Sequence, residues 1–372
     1  MATLHFNIPG FSPYLRPFLA LSFLLCVASV AYGYPTTLAS TLPNSESLAD
    51  LVARADSGAI DAELELARRY EAGVGVKPDT SASFKWFEKA ANQGSDQGAL
   101  QVASAYWRGV GIAEDDAEAV KWLQKAADHG FAPAQRDLGL AYQVGKGVKQ
   151  DYVKAFEWYQ RAANQGYAPA ENNLGYLYTK GLGVAKDDVT AVEWFQKGAD
   201  QGNRSAESGL GEMYRQGRGV PQDFVAAAKW FRKSAEAGLD VAQAALANLY
   251  QYGQGVPKSD AEAVRWYQKA ADQGLSGAEY DLGLMYHSGE GIRRDDVEAA
   301  IWFRKAAEQG LPDAETWLGY SYENGVGVQR NARQAIDWYR KAAVQGEPRA
   351  LEALKRLKEN ENFNGNPTTT RS

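Results

Sequence analysis

The chain has 372 residues, is 45% hydrophobic and 23% charged, and carries a formal net charge of −6. That composition is ordinary for a folded protein, and an acidic balance with no dense Lys/Arg run argues against a nucleic-acid binder, which usually carries basic patches against phosphates. The one cysteine, Cys26, lies in an N-terminal apolar stretch, so the rest of the chain has no disulfide framework, thiolate metal site or cysteine nucleophile.

Residues 1–33 have the pattern of a secretory signal. The apolar run Phe18–Ala31 follows Arg16, and Ala31-Tyr32-Gly33 supplies small residues at a cleavage site. An uncleaved membrane anchor is the alternative, because the run is nearly long enough to span. Leu25 before Cys26 argues against a lipoprotein, where a small residue is wanted. Residues 34–47 are rich in Ser, Thr and Pro and form a linker. Leu48, Leu51, Val52 and Ala55 then recur at helical spacing, so residues 48–60 are expected to be an N-terminal capping helix.

From Asp61 the chain repeats one sentence eight times. Trp86, Trp122, Trp158, Trp194, Trp230, Trp266, Trp302 and Trp338 fall every 36 residues, as do the tyrosines from Tyr70 to Tyr322. A fixed period of this size is the signature of a solenoid, so 61–348 is expected to be one elongated array in place of separate domains. Each unit carries two helical patterns. In the unit from Pro133, helix A places Ala134, Leu138 and Tyr142 at i, i+4 and i+8, and helix B places Ala155, Trp158, Tyr159, Ala162 and Ala163 on one stripe. Asp79, Asp115, Asp151, Asp187, Asp223, Ser259, Asp295 and Asn331 stand where helix B needs an N-cap. Glycines from Gly94 to Gly346 end helix B, and paired glycines such as Gly181 and Gly183 fill the A–B turn, where positive φ or a close backbone approach is expected. Residues 349–358 restart helix A as a C-terminal cap, and 359–372 are polar and expected to be disordered.

The recurring words are A-x-x-x-L-G-x-x-Y (Ala170, Leu174, Gly175, Tyr178), G-x-G-V (Gly181, Gly183, Val184), W-[YF]-x-K-A-A (Trp266, Tyr267, Lys269, Ala270, Ala271) and Q-G (Gln309, Gly310). This pattern closely resembles Sel-1-like repeats, relatives of tetratricopeptide repeats. The resemblance implies an all-α, right-handed α/α superhelical solenoid of eight 36-residue helix pairs. It also implies a scaffold or adaptor of the bacterial envelope, periplasmic or secreted, with inner-membrane anchoring if the leader is retained. Some cysteine-rich members are associated with β-lactamase or penicillin-binding activity, so β-lactam hydrolysis is a remote third reading for this cysteine-poor chain.

Signals for chemistry are sparse. His5, His129 and His287 are the three histidines, and no H-E-x-x-H, S-x-x-K or G-x-S-x-G occurs. No catalytic residue, metal ligand or cofactor is expected. Glu63, Gln135, Glu171, Glu207, Gln243, Glu279 and Glu315 recur at the third position of the unit, which points to a structural hydrogen bond or a solvated face. The informative positions are those that vary while the framework repeats. By analogy with tetratricopeptide repeats helix A lines the concave surface, and the candidates there are Trp107, Asn172, Asn173, Tyr176, Glu212, Arg215, Tyr280, Leu284, His287, Trp317 and Tyr320. Aromatics among amides and charges suit a groove for a peptide or protein partner. Cell-wall or exopolysaccharide glycan, stacked on exposed rings, is the alternative ligand.

Overall fold

A computed structural model describes residues 46–364. The expected signal 1–33 and nearly all of the expected linker 34–47 lie outside the described residues, as do 365–372. Among the described residues the regular elements are eighteen α-helices, from Leu48–Asp56 to Pro348–Asn364. Eight helix pairs occupy the span from Ile60 to Val344, so the all-α solenoid of paired helices stands as expected.

Local chemistry sets each boundary. Helix B of every repeat begins after a short polar residue whose side chain accepts from first-turn amides, as Asp187 does from Val189 and Thr190 at 3.0 and 3.1 Å. Such a cap is worth about 1 kcal/mol. The amide of the same residue donates back to the carbonyl of the helix A tyrosine, Asp151 to Tyr142 at 2.9 Å and Asn331 to Tyr322 at 2.8 Å, which closes the A–B turn. Helix A ends on a left-handed glycine, for example Gly181 at φ 67°. The second turn glycine has a further duty. A Cβ on Gly183 (φ +70°) would lie 2.1 Å from the carbonyl oxygen of Tyr152, the first residue of helix B in the preceding repeat. The turn of one repeat therefore rests by its backbone on the repeat before it.

Packing follows from the word L-G in helix A and W-[YF] in helix B. The residue after the tryptophan is the deeper of the pair: Tyr159, Phe195, Phe231, Tyr267, Phe303 and Tyr339 are among the largest fully buried side chains. Their rings lie against helix A so closely that a Cβ on Gly175 would sit 2.7 Å from the Phe195 ring. The tryptophans are buried only at 122, 158 and 302 and partly exposed in the other five repeats. Each has a cation over its ring from the residue three positions on, at 3.7–4.7 Å from the ring centroid. This accounts for the recurring Lys or Arg of the motif.

The recurring third-position Glu or Gln makes the structural hydrogen bond expected of it. Gln93, Gln165, Gln201, Gln273, Gln309 and Gln345 at the end of helix B donate to Glu63, Gln135, Glu171, Gln243, Glu279 and Glu315 at 2.7–3.0 Å. Burial raises the carboxyls of Glu171, Glu279 and Glu315. The second repeat has Ala99 at that place, and its helix-end His129 turns to Asp96 at 2.6 Å.

Three findings refine the expectations. First, among the described residues the eight consecutive helix pairs of the solenoid fall into two compact units, divided at Gln222–Asp223. Each repeat of a solenoid touches only its neighbours. The N-terminal unit has its core between Leu64 and Trp158, with Leu51 and Ala55 of the first helix packed on Ala62 and Leu66. The C-terminal unit is built around Tyr267 and Leu282, then around Phe303, Leu318 and Tyr339. Secondly, the first helix stops at Asp56, because Gly58 takes φ 91° and a new helix starts at Ile60. Thirdly, the last helix runs to Asn364, past Lys358, since no Pro or Gly interrupts it before Gly365.

The two kinds of glycine separate in a stability measurement. Gly183→Ala meets both positive φ and the Tyr152 carbonyl and is expected to cost about 3 kcal/mol. Gly166→Ala has φ 76° and nothing within 4 Å, so the left-handed conformation alone sets a cost of about 1 kcal/mol. Urea denaturation of both variants reads the difference; equal costs would contradict the inter-repeat contact.

Candidate functional site

In the N-terminal unit the candidates are set deep between successive A helices. Asn172, Asn173 and Tyr176 of helix Ala168–Lys180 are 5–6% exposed, and Trp107 of helix Asp96–Arg108 is 6% exposed. Asn173 hydrogen-bonds the hydroxyl of Tyr159, which donates to Gln143 Oε1 at 2.7 Å. Burial holds that phenol far above its ordinary range. Beside it Arg136 and Asp137, both buried, form an ion pair at 2.8 Å. Lys146 donates to the Trp107 carbonyl oxygen at 3.2 Å and lies 5.9 Å from its ring centroid. In the fifth repeat Arg215 clamps Glu212 through two bonds of 2.7 Å, with the guanidinium edge partly exposed.

In the C-terminal unit five candidates come together. Trp317 stacks on Phe303 at 5.4 Å with rings 17° apart, and His287 and Tyr320 meet its ring edge-on at 5.1 and 5.6 Å. Tyr280 lies against the other end of Phe303 at 6.0 Å. Tyr280 and Trp317 are buried, whereas Leu284, His287 and Tyr320 are partly exposed above them. His287 Nδ1 is 2.6 Å from Asp296 Oδ1, which fixes the ring. A buried aromatic floor thus carries a half-exposed aromatic and aliphatic surface.

Several residues of this face escape a rule based on the fourth, eighth and eleventh positions of the unit. Asp137 and Asp281 occupy the fifth position, as Asn173 and Trp317 do, and Tyr252 the twelfth. The i, i+3 and i+7 spacing of those positions is the signal that finds them. Burial pushes the Asp281 carboxyl up to about 7; the Tyr267 hydroxyl opposes the shift and the Asp313 carboxylate adds to it. Asp313 is itself paired with Arg349 of the last helix, whose Nε reaches Glu347 at 2.7 Å. Among the described residues no group of three His, Cys, Asp or Glu is placed to hold a metal ion, and no helix is long and apolar enough to cross a membrane.

The Sel1 repeat model matches residues 60–95, 97–131, 132–167, 168–203, 204–239, 240–275, 276–311 and 312–347. The chain belongs to the Sel1 repeat family. The matched segments coincide with the helix pairs, each opening on helix A and closing after helix B. A Sel1 repeat protein from Oxalobacter formigenes is 34% identical, with 83% of this chain and 90% of that chain covered and a TM-score of 0.59. A protective antigen present in uropathogenic Escherichia coli strains, displaying an SLR fold, is 32% identical over 84% of this chain and 83% of that one, with a TM-score of 0.46. No curated protein matches the sequence. Sel1 repeat scaffolds generally mediate protein–protein contact, and most are non-catalytic.

The Asp281 carboxyl makes stability depend on pH in a defined direction. Its folded value exceeds the unfolded value of about 4, so the folded chain keeps a proton that the unfolded chain has released. The stability this group contributes is complete below about pH 4 and is lost as pH rises through about 7. Asp281→Asn is expected to match the parent near pH 4 and to exceed it by about 2 kcal/mol above pH 7, allowing for the partial exposure of the residue. Urea denaturation across that range measures the gap, and a gap independent of pH would contradict the assignment.

Proposed function

We propose that this Sel1 repeat chain is a non-catalytic scaffold, exported to the periplasm or beyond by its N-terminal segment, that binds an extended protein segment on its helix A face. The observation that carries this reading is the patch of Leu284, His287 and Tyr320 above the Trp317–Phe303 stack. Half-exposed apolar and aromatic groups on a rigid floor give contact area at small entropic cost, which is how binding energy concentrates in a few residues. In the N-terminal unit Arg215 offers a partly exposed guanidinium for a polar contact.

The buried candidates have a different part. Trp107, Asn172, Asn173, Tyr176, Glu212, Tyr280 and Trp317 are each 9% exposed or less. They position the face and do not present their side chains to a ligand. Sugar stacking requires an open ring face, and neither Trp107 nor Trp317 offers one, so glycan binding is the weaker reading. Export is supported by the apolar run Phe18–Ala31 followed by small residues.

Tyr176→Ala with Trp317→Ala would remove packing, at about 3–5 kcal/mol for the tryptophan alone. Leu284→Ser with Tyr320→Ser tests the surface instead. Affinity for a partner cross-linked from source cells is expected to fall at least about tenfold, with the thermal transition little changed. Undiminished affinity in this variant would contradict the proposal.

A further inference from the structure

In three repeats the eleventh residue of the unit, on helix A, is a hydrogen-bond acceptor for helix B. The buried ring of helix B is there a tyrosine, and its hydroxyl donates across the helix pair: Tyr159 to Gln143 at 2.7 Å, Tyr267 to Gln251 at 3.1 Å and Tyr339 to Glu323 at 2.8 Å. Where the ring is phenylalanine, that donor is missing. In the fourth repeat, with Phe195, Thr179 turns its own hydroxyl to the Tyr176 carbonyl oxygen at 2.7 Å. In the fifth, with Phe231, Arg215 clamps Glu212. In the seventh, with Phe303, the eleventh residue is His287.

His287 is held as an acceptor. Its Nδ1 lies 2.6 Å from Asp296 Oδ1, and Arg294 donates to the other oxygen of that carboxylate at 2.8 Å. Burial works against the charge on Asp296, but the bonds from Arg294 and His287 prevail and hold its carboxyl below the usual range. An ionised carboxylate only accepts, so Nδ1 carries the proton and Nε2 of the neutral ring keeps its lone pair. Nε2 makes no hydrogen bond among the described residues and is not one of their buried unpaired atoms. The acceptor that a tyrosine satisfies in three other repeats is therefore open here.

Its surroundings are those of the partner surface. Leu284 is one turn away on the same helix, and the Trp317 ring that meets His287 edge-on at 5.1 Å also meets Tyr320 at 5.6 Å. A group arriving on Leu284 and Tyr320 has a fixed acceptor beside it. An extended segment brings a free main-chain N–H at each residue, whereas a helix bonds its own beyond the first turn.

We propose that His287 Nε2 accepts a main-chain N–H of the bound protein segment, so that this face reads an extended backbone while Leu284 and Tyr320 take its side chains. This rests on the helix A face being the partner surface, and adds the conformation of the partner and the group that holds it.

The test uses peptides selected from a random library displayed on phage against the full chain, then synthesised with each main-chain amide N-methylated in turn. Affinities are measured for the parent, His287→Asn, His287→Gln and Leu284→Ser/Tyr320→Ser. His287→Asn keeps a donor for Asp296 and removes Nε2, whereas His287→Gln sets an amide group near the place of Nε2. The unmodified peptide is expected to bind His287→Asn at least about tenfold more weakly than the parent, with part of the loss restored in His287→Gln. One N-methylation is expected to cost the parent a similar factor and to cost His287→Asn nothing further. Equal affinity for His287→Asn and the parent overturns the acceptor role. Coupling of His287 to a hydroxyl side chain of the peptide, with no coupled amide, overturns the main-chain assignment. In either case weakening by Leu284→Ser/Tyr320→Ser leaves the partner surface standing. Peptides indifferent to all three variants, or no enrichment at all, contradict both.

Discussion

Stacking depends on a backbone contact that only glycine allows. The second turn glycine of a repeat lies on the carbonyl that opens helix B of the repeat before it, and a Cβ at Gly147, Gly183 or Gly219 would come within 2.1 Å of that oxygen. No side chain mediates the contact, so it recurs between successive repeats; Gly75 of the first repeat, with no full repeat before it, has nothing within 4 Å. The helix pair is fixed separately, by a ring from helix B pressed onto the glycine of L-G in helix A. One contact sets the distance between repeats and the other sets the distance between the two helices of a repeat. With one distance fixed by backbone and the other by a buried ring, the remaining side chains are free to differ.

The difference between framework and face is also electrostatic. Framework charges are local and cheap: caps on helix B, and cations over tryptophan rings at the surface. The face carries the expensive ones. Arg136 with Asp137, Glu212 with Arg215, and Asp313 with Arg349 are buried or half-buried pairs. Replacing such pairs by apolar residues is often neutral or stabilising, so their presence between helices A speaks for specificity of this face over its stability.

Most of the fold was legible in the sequence because the period repeats each physical signal eight times. Caps, turn glycines and helix faces could be checked unit against unit, and the recurring Glu or Gln pointed to a structural hydrogen bond or a solvated face, of which the structure shows the bond to the helix-end Gln. The candidate face was less legible. Its members were found as departures from the repeat, and departure marks a position without giving its depth. Trp107 and Trp317 stand out in the sequence, yet both are buried, because a large ring at the fifth or eleventh position of helix A fits between adjacent helices. Asp281 and Tyr252 were missed because the rule left out the fifth position, which is mostly buried, and the twelfth, which is exposed. The division at Gln222–Asp223 has no counterpart in the sequence period, which continues through it unchanged.

The central claim is that helices A present the partner surface and helices B do not. Photo-cross-linking from a benzoylphenylalanine introduced at Tyr320, on helix A, or at Ile301, on the outer side of helix B and 43% exposed, tests it directly. Partner adducts from position 320 and none from 301 are the expected result. Adducts from 301 with none from 320 would place the partner on the opposite side and contradict the account.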